Sequence, residues 1–486
     1  MLSYKDAFVH PFNTANADYL YDVNTGMILK VSNSIYNFFK NNSAEDTLVD
    51  KDRRDLDRMI ADGYLKPNNI SKIEHGYMKF LPELLDKKIQ GITLQVTQDC
   101  NLRCKYCVYS GEYKSRTHKK SYMTIEMARK GIDYVIKHST ELEEITVGFY
   151  GGEPLLNFDL LKNVVAYTRS KGVGKRILFH ISTNATLFND EKLKFLEDNN
   201  FSVLISVDGP REIHDANRRF LSGGGTFDHI MRNLSKIKEE YPRLHRNIIF
   251  NAVIDTTLDP VCTNQFFISC EDFENMSVQS SLISSEYRTK ADDVPERFII
   301  DEEMEVFKIY LQKIGRLGKK HITRFADNKF NTMYGAMYEM RPRSAEIPTA
   351  IHPSGPCIPG ARKLFMTVDG TFIPCEKVSE ISDAMKIGSV DTGFDLKKVE
   401  ALLNIGKLTE EECKNCWALR LCDVCALAAD EVSDTNSLSR SKKLTACPGV
   451  LNYSEELLKN FCTLKEYGYS FSGQERTMLA LGRNPS

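Results

Sequence analysis

Ten of the 13 cysteines in this 486-residue chain fall into two groups, and their spacing constrains the chain more than any other feature. Cys100, Cys104 and Cys107 form a Cys-x3-Cys-x2-Cys loop. Cys357, Cys375, Cys413, Cys416, Cys422, Cys425 and Cys447 form the second group. A reducing cytosol does not use closely spaced cysteines as structural disulfides, so the pattern points to metal or catalysis. Three thiolates in one short loop can hold three irons of a [4Fe–4S] cluster, leaving the fourth iron open to a small-molecule chelator. Structural zinc is the alternative, but it needs a fourth ligand and prefers paired Cys-x2-Cys knuckles. No nearby histidine completes such a site at Cys100–Cys107. Cys262, Cys270 and Cys462 lack companions at ligand spacing and read as buried thiols acting as small hydrophobes.

The rest of the chain has a globular composition, 42% hydrophobic and 27% charged, which argues against disorder. Its 64 Lys and Arg against 66 Asp and Glu leave a net charge of −2. That balance gives no strong field for nucleic acid or an anionic membrane, and neither is expected as a partner. No apolar run reaches membrane-spanning length. The opening MLSYKDAFVHPF has no signal-peptide pattern, so a cytoplasmic location is expected.

The length suggests about three domains, expected at 1–85, 86–340 and 341–486. In the first, AFVHPF, ADYLYDV and MILKVS predict short strands, with a tight turn at Asn24-Thr25-Gly26. Ser32 or Ser34 would cap the helix SIYNFFKN. A second helix is expected through AEDTLVDKDRRDLDRMIADG, ended by Gly63, and EHGYMKF is expected as a last strand. From residue 86, ITLQVTQ, EITVGFY, ILFHIST, FSVLISV and NIIFNAVI alternate with amphipathic helical segments. That order predicts parallel βα units with chemistry on loops at the strand C-terminal ends. Cys100 and Gly151 both fall at such ends. Residues 286–350 read as a helical connection and linker. The Gly-, Pro- and Cys-rich stretch that follows is one that metal can hold together.

The three-cysteine loop, with aromatic Tyr106 before its last cysteine, resembles the signature of the radical S-adenosylmethionine (SAM) superfamily. The resemblance implies an α/β fold with a partial (β/α)6 barrel. It also implies an open iron that binds the amino and carboxylate groups of SAM, whose reductive cleavage gives a 5′-deoxyadenosyl radical. An external electron donor of flavodoxin or ferredoxin type follows from the same resemblance. Gly151-Gly152-Glu153-Pro154 looks like the superfamily's GGEP motif, which approaches the methionyl group and holds its ammonium. Ser182, Asn184 and Ser206 end the next strands, and Arg218 closes an HDxxR motif. All four are implied as SAM contacts, with backbone at Val253 and Ile254 lining the adenine. Arg218 suits a carboxylate because its guanidinium is planar and always charged.

The second cysteine group resembles the SPASM domain, a C-terminal extension of radical SAM peptide and protein maturases holding two auxiliary [4Fe–4S] clusters. This gives three clusters in all. The likeness implies Cys413, Cys416, Cys422 and Cys447 at a distal cluster and Cys357, Cys375 and Cys425 at a proximal one. Cys422 and Cys425 enclose two residues where the family usually has three. The proximal set lacks a fourth cysteine, so an open iron able to take a substrate thiolate is one reading. Completion by Cys262, Cys270 or Cys462 is the other. A zinc ribbon also fits the cysteine pairs. Glu376, directly after Cys375, is the candidate base, as in some relatives.

Strands followed by helices in the first 85 residues resemble a winged-helix-like recognition element for ribosomally made, post-translationally modified peptides (RiPPs). Such elements bind the leader of a precursor peptide as an added strand. The three parts together imply a maturase that forms thioether crosslinks between cysteine sulfur and carbon. Carbon–carbon crosslinking, formylglycine formation of the anaerobic sulfatase-maturing type, and a regulatory protein without radical chemistry are the competing readings.

Overall fold

The computed structural model describes residues 4–471, apart from 111, 270–275, 291–292, 320, 321, 323–326, 328, 332, 334, 336, 338–345, 354, 356 and 433–436. Cys270 lies outside the described residues.

The three strands expected near the N-terminus form one antiparallel sheet in the order β1 (Val9–Asn13), β2 (Asp18–Asp22) and β3 (Met27–Val31). The turn joining β2 to β3 depends on Asp22, whose buried carboxylate accepts hydrogen bonds from the Thr25 amide at 2.9 Å and the Leu65 amide at 2.6 Å. Gly26 follows with φ +69°, which glycine adopts without strain. Ser32 caps the helix Asn33–Lys40 by accepting from the Ile35 amide at 3.2 Å, and its hydroxyl donates to Asp52 at 2.8 Å.

The second helix is shorter than expected. A 3-10 turn, Glu45–Thr47, precedes a helix over Asp50–Ala61, and Gly63 follows at φ +94°. EHGYMKF does not form a strand. Met78–Phe80 is a 3-10 turn leading into the helix Leu81–Lys87, where Pro82 suits the first turn. The strand in this region is β4, Lys72–Ile73, which pairs in parallel with β11, Ala350–Ile351. Local pattern could not show a pairing partner some 280 residues away.

The small sheet is covered on both faces. Leu20 packs with Ile35, Phe38, Leu48, Leu56 and Leu65 on one side. Phe12, Tyr19 and Tyr21 share a core with Leu419 and with Leu457, Leu458 and Phe461 of the C-terminal helix Arg440–Glu466 on the other. His10 stacks on Trp417 with ring centroids 3.6 Å apart. Arg420 donates to the Val23 and Asn24 carbonyls at 2.8 and 2.6 Å. Trp417, Leu419 and Arg420 all lie in the loop between Cys416 and Cys422.

The second layer is a parallel sheet of β5 (Gly91–Thr97), β6 (Glu144–Gly151), β7 (Arg176–Thr183), β8 (Ser202–Ser206), β9 (Ile248–Ile254) and β10 (Ser277–Leu282). Five of these strands are the five apolar runs of the sequence. β10 was not expected, because SVQSSL carries little apolar signal. Helices cover one face of the sheet. Ile145, Val147, Phe149, Ile181, Val203, Ile205 and Phe250 turn into that core. The register gives the opposite face: Gln95 pairs with Tyr150, Gly148 with His180, Ser182 with Leu204, and Ser206 with Asn251. These residues line the concave side of the partial barrel.

The C-terminal region continues the same sheet. β12 (Phe365–Met366) adds in parallel beside β5, followed antiparallel by β13 (Thr371–Ile373), β14 (Gly388–Ser389) and β15 (Gly393–Phe394). This places the segment around Cys375 against the barrel. The shared core between the N-terminal sheet and the C-terminal helix is testable. Leu458→Ala should cost roughly 2–5 kcal/mol of unfolding free energy, measured by urea denaturation. An unchanged midpoint would show that this core does not hold the two parts together.

Candidate active site

At the C-terminal mouth of the sheet, backbone approaches backbone with no room for side chains. A Cβ on Gly151 would overlap the Thr97 carbonyl, and one on Gly152 would overlap the Asp99 carbonyl immediately before Cys100. The glycine pair therefore sets the position of the cysteine loop. Glu153 is buried and accepts from the Thr183 hydroxyl at 2.8 Å, the Asn184 amide at 2.8 Å and the Leu155 amide at 3.0 Å. Burial raises its pKa, opposed by these hydrogen bonds. The carboxylate that the motif assigns to SAM is in this structure a brace between the ends of β6 and β7.

The cysteine loop faces nitrogen donors. The Leu102 amide lies 3.4 Å from Cys100 Sγ, and Asn184 Nδ2 lies 3.9 Å from the same sulfur while donating to Asn101 Oδ1 at 2.9 Å. Arg218 Nη1 lies 4.0 Å from Cys104 Sγ. Burial pushes the Cys100 thiol up to about 12 and Cys104 up to about 11, and it raises Cys107 too. The three also repel one another's ionisation or stand close enough to do so in pairs: Cys100 responds to Cys104 and Cys107, and Cys104 to Cys107. Buried neighbouring thiols ringed by N–H donors suit thiolates bound to a cationic metal cluster, so the residues fit the [4Fe–4S] group.

Arg218 is not a free carboxylate clamp. Its Nε donates to Asp208 Oδ2 at 2.9 Å in a buried ion pair. Tyr106 Oη donates to the same oxygen, and the Val253 amide donates to Asp208 Oδ1 at 3.1 Å. The Tyr106 phenol is held well above its usual range by burial. Arg218 therefore reaches Cys104 while anchored on Asp208. Val253 spends its N–H on Asp208, and the Ile254 carbonyl accepts from Ile283 at 3.2 Å. Asp208 lies two residues after Ser206 and is not among the candidates read from the sequence. Its signal was an acid ten residues before an arginine, which becomes a pair only after the intervening turn folds.

A second polar group lines the wall between β5 and the C-terminal region. Arg116 pairs with Glu380 at 3.0 Å, with side chains 1% and 9% exposed. Arg116 Nη2 also donates to the carbonyls of Glu376 at 2.7 Å and Val378 at 2.9 Å. Gln95 bonds Glu380 and the Tyr109 hydroxyl, the latter at 2.8 Å. None of Arg116, Glu380 or Gln95 was a sequence candidate, since Glu380 lies over 200 residues from both of the others. Glu376 itself pairs with Lys363 at 3.7 Å rather than with its neighbour Lys377. It is half-buried and acts electrostatically on Tyr150 and His180 of the concave face. Burial holds His180 down at about 4, so its imidazole is neutral near pH 7.

The C-terminal cysteines separate into two neighbourhoods. Cys357 responds to Cys425, and Cys375 to Cys357. Cys416 responds to Cys413 and Cys447, and Cys422 to Cys416 and Cys413. Gly355 packs so tightly on the Asp423 backbone that a Cβ would overlap it, which joins the Cys357 loop to the Cys422–Cys425 turn. Cys462 is buried in the core under the N-terminal sheet, and Cys262 is exposed on the helix Pro260–Ser269. Neither joins the Cys357 neighbourhood. Among the described residues, no three His, Cys, Asp or Glu side chains converge on a single metal ion. No helix among them is long and apolar enough to cross a membrane.

The parallel sheet and its mouth are those of a radical SAM partial barrel. Residues 94–256 match the model of the radical SAM superfamily, which marks that segment as a radical SAM domain. An uncharacterised protein of Methanocaldococcus jannaschii is 29% identical over 47% of this chain and 72% of its own length. A cysteine-type anaerobic sulfatase-maturating enzyme of Clostridium novyi is 33% identical over 32% of this chain and 42% of its own. The chain thus spans about two fifths of that enzyme. The solved structure of native anSMEcpe with bound AdoMet superposes with a TM-score of 0.55 at 21% identity, over 75% of this chain and 99% of that one, a likeness of fold. The family implies a [4Fe–4S] cluster and SAM. Gly152→Ala should displace the loop before Cys100 and lower iron retention at the first cysteine group after anaerobic reconstitution. Iron content equal to the unsubstituted protein would refute the close-approach argument.

Proposed function

We propose that this protein is a peptide maturase that installs thioether crosslinks between a cysteine sulfur and a carbon of a ribosomally made precursor. The observation that carries the reading is the Cys357, Cys375 and Cys425 neighbourhood, which among the described residues has no fourth cysteine. Three protein thiolates on a four-iron group leave a place for a substrate thiolate. In the same reading Cys100, Cys104 and Cys107 hold the SAM-binding cluster, and Cys413, Cys416, Cys422 and Cys447 hold a distal SPASM cluster. When bound, SAM and the clusters supply a radical that takes one hydrogen atom from substrate carbon and an acceptor for the surplus electron.

The chain's own residues do the rest. The substrate thiol gives up its proton on becoming the bound thiolate, before the C–S bond forms, and in this reading Glu376, next to Cys375 in the chain, takes it. Neutral His180 and Tyr150 line the concave wall near it. Residues 1–85 serve as the recognition element, 86–340 as the catalytic barrel and 341–486 as the SPASM region. Both faces of the N-terminal sheet are packed, so a leader peptide has only an edge to join. Among the described residues no strand pairs with the outer side of β3, and added-strand binding there supplies main-chain affinity. A flavodoxin or ferredoxin supplies the electrons that initiate each turnover.

Formylglycine formation is the second reading, favoured by the likeness to the sulfatase-maturating enzyme of Clostridium novyi. Mass spectrometry after incubating a cysteine-containing precursor with reduced enzyme and SAM separates the two. Thioether formation predicts loss of two hydrogens per crosslink and of thiol labelling. An aldehyde product supports formylglycine, and a crosslink with free thiols supports carbon–carbon bonding. Glu376→Gln should lower crosslinking by roughly 10²–10⁴-fold while 5′-deoxyadenosine still forms. Unchanged crosslinking would remove Glu376 as the base.

A further inference from the structure

Lys443 occupies a position that lysine rarely tolerates. It lies in the first turn of the helix Arg440–Glu466 and is 3% exposed. Its ammonium donates to the Thr409 hydroxyl and stands 3.7 Å from Cys413 Sγ. Thr409 Oγ1 is in turn 3.2 Å from that sulfur. The positive charge also acts on Cys416, Cys422 and Cys447. Among the described residues no carboxylate lies within ion-pair distance of it: nearby Glu412 pairs with Arg440, and Lys442 takes Glu286. A buried ammonium without an anionic partner is strongly disfavoured. Zinc held by four thiolates and an iron–sulfur cluster held by four thiolates are both anionic. Only the cluster changes charge by accepting an electron.

We infer that Lys443 is the built-in counter-charge of the group held by Cys413, Cys416, Cys422 and Cys447, and that it raises the reduction potential of an iron–sulfur cluster there. The inference rests on the three-cluster reading above. Its physical basis is that charge and hydrogen bonds to the sulfurs set a cluster's potential. One electron enters the cluster on reduction, and no bond is made or broken. The reduced form is one charge more negative and gains more from the ammonium than the oxidised form does. Lys443 is thus a positioning residue for electrons rather than a group that touches substrate.

The test uses full-length, reconstituted protein carrying Cys100/Cys104/Cys107→Ala, so that only the auxiliary clusters respond. Dithionite titration followed by electron paramagnetic resonance reads the midpoints. With Lys443→Met, one auxiliary cluster should become at least tenfold harder to reduce at fixed potential, equivalent to a downward shift of about 59 mV. The other should stay in place, and Lys443→Arg should restore the first. Loss of about four irons in the Met variant but not in the Arg variant also supports the inference, because charge and not shape is then needed to hold the cluster. Unchanged midpoints, or equal loss of iron in both variants, overturn it. Zinc, or only about four irons, before any change at Lys443 refutes the three-cluster reading instead.

Discussion

The carboxylate of Glu153 is the interaction on which the active end of this molecule depends. It accepts three hydrogen bonds from residues that follow β6 and end β7. A buried carboxylate left without those donors would pay its full desolvation cost, so the two strand ends are held at one spacing. The glycine pair before it then brings β6 down onto the Thr97 and Asp99 carbonyls. Asn184, after β7, reaches the cysteine loop through Asn101. A single acid thus organises strand ends, glycine contact and sulfur environment together, although its motif suggests a ligand contact.

Charge compensation recurs across the interior. Arg218 with Asp208 lies beside Cys104, and Arg116 with Glu380 lies between the first cysteine group and Cys375. Each arginine retains a formal charge partner of protein origin. Buried pairs of this kind cost desolvation and are weak as sources of stability. Their value is geometric, since each fixes a side chain near a cysteine without leaving an isolated ion. Beside the second pair the wall is aromatic: Tyr150 packs edge-on against Phe365, and Arg116 lies over the Phe365 ring.

Much of this was legible in the chain. The five apolar runs became strands because their residues turn alternately into the helix-covered core, and the cysteine loop and GGEP fell at their ends. β10 escaped because an edge strand with serine at half its positions has no apolar rhythm. EHGYMKF misled because Tyr77 and Phe80 look like strand residues but sit exposed, at the entry to a helix. The second cysteine group shows its spacing in the sequence, whereas its surroundings, such as Lys443 beside Cys413, do not. Arg218 shows the limit most clearly. Its charge marked it for a carboxylate, but the carboxylate it meets belongs to Asp208.

The N-terminal sheet has a consequence for how the chain is made. One of its faces is buried by Leu419 and the Arg440–Glu466 helix, and its turn is clamped by Arg420. Those partners lie almost 400 residues downstream of Val23. At roughly 5–20 residues per second of synthesis, Phe12, Tyr19 and Tyr21 emerge about 20–80 s before Leu419 and the C-terminal helix that complete their core. The sheet is therefore made well before the residues that complete its core, and its aromatic face must be kept from other nascent chains until then.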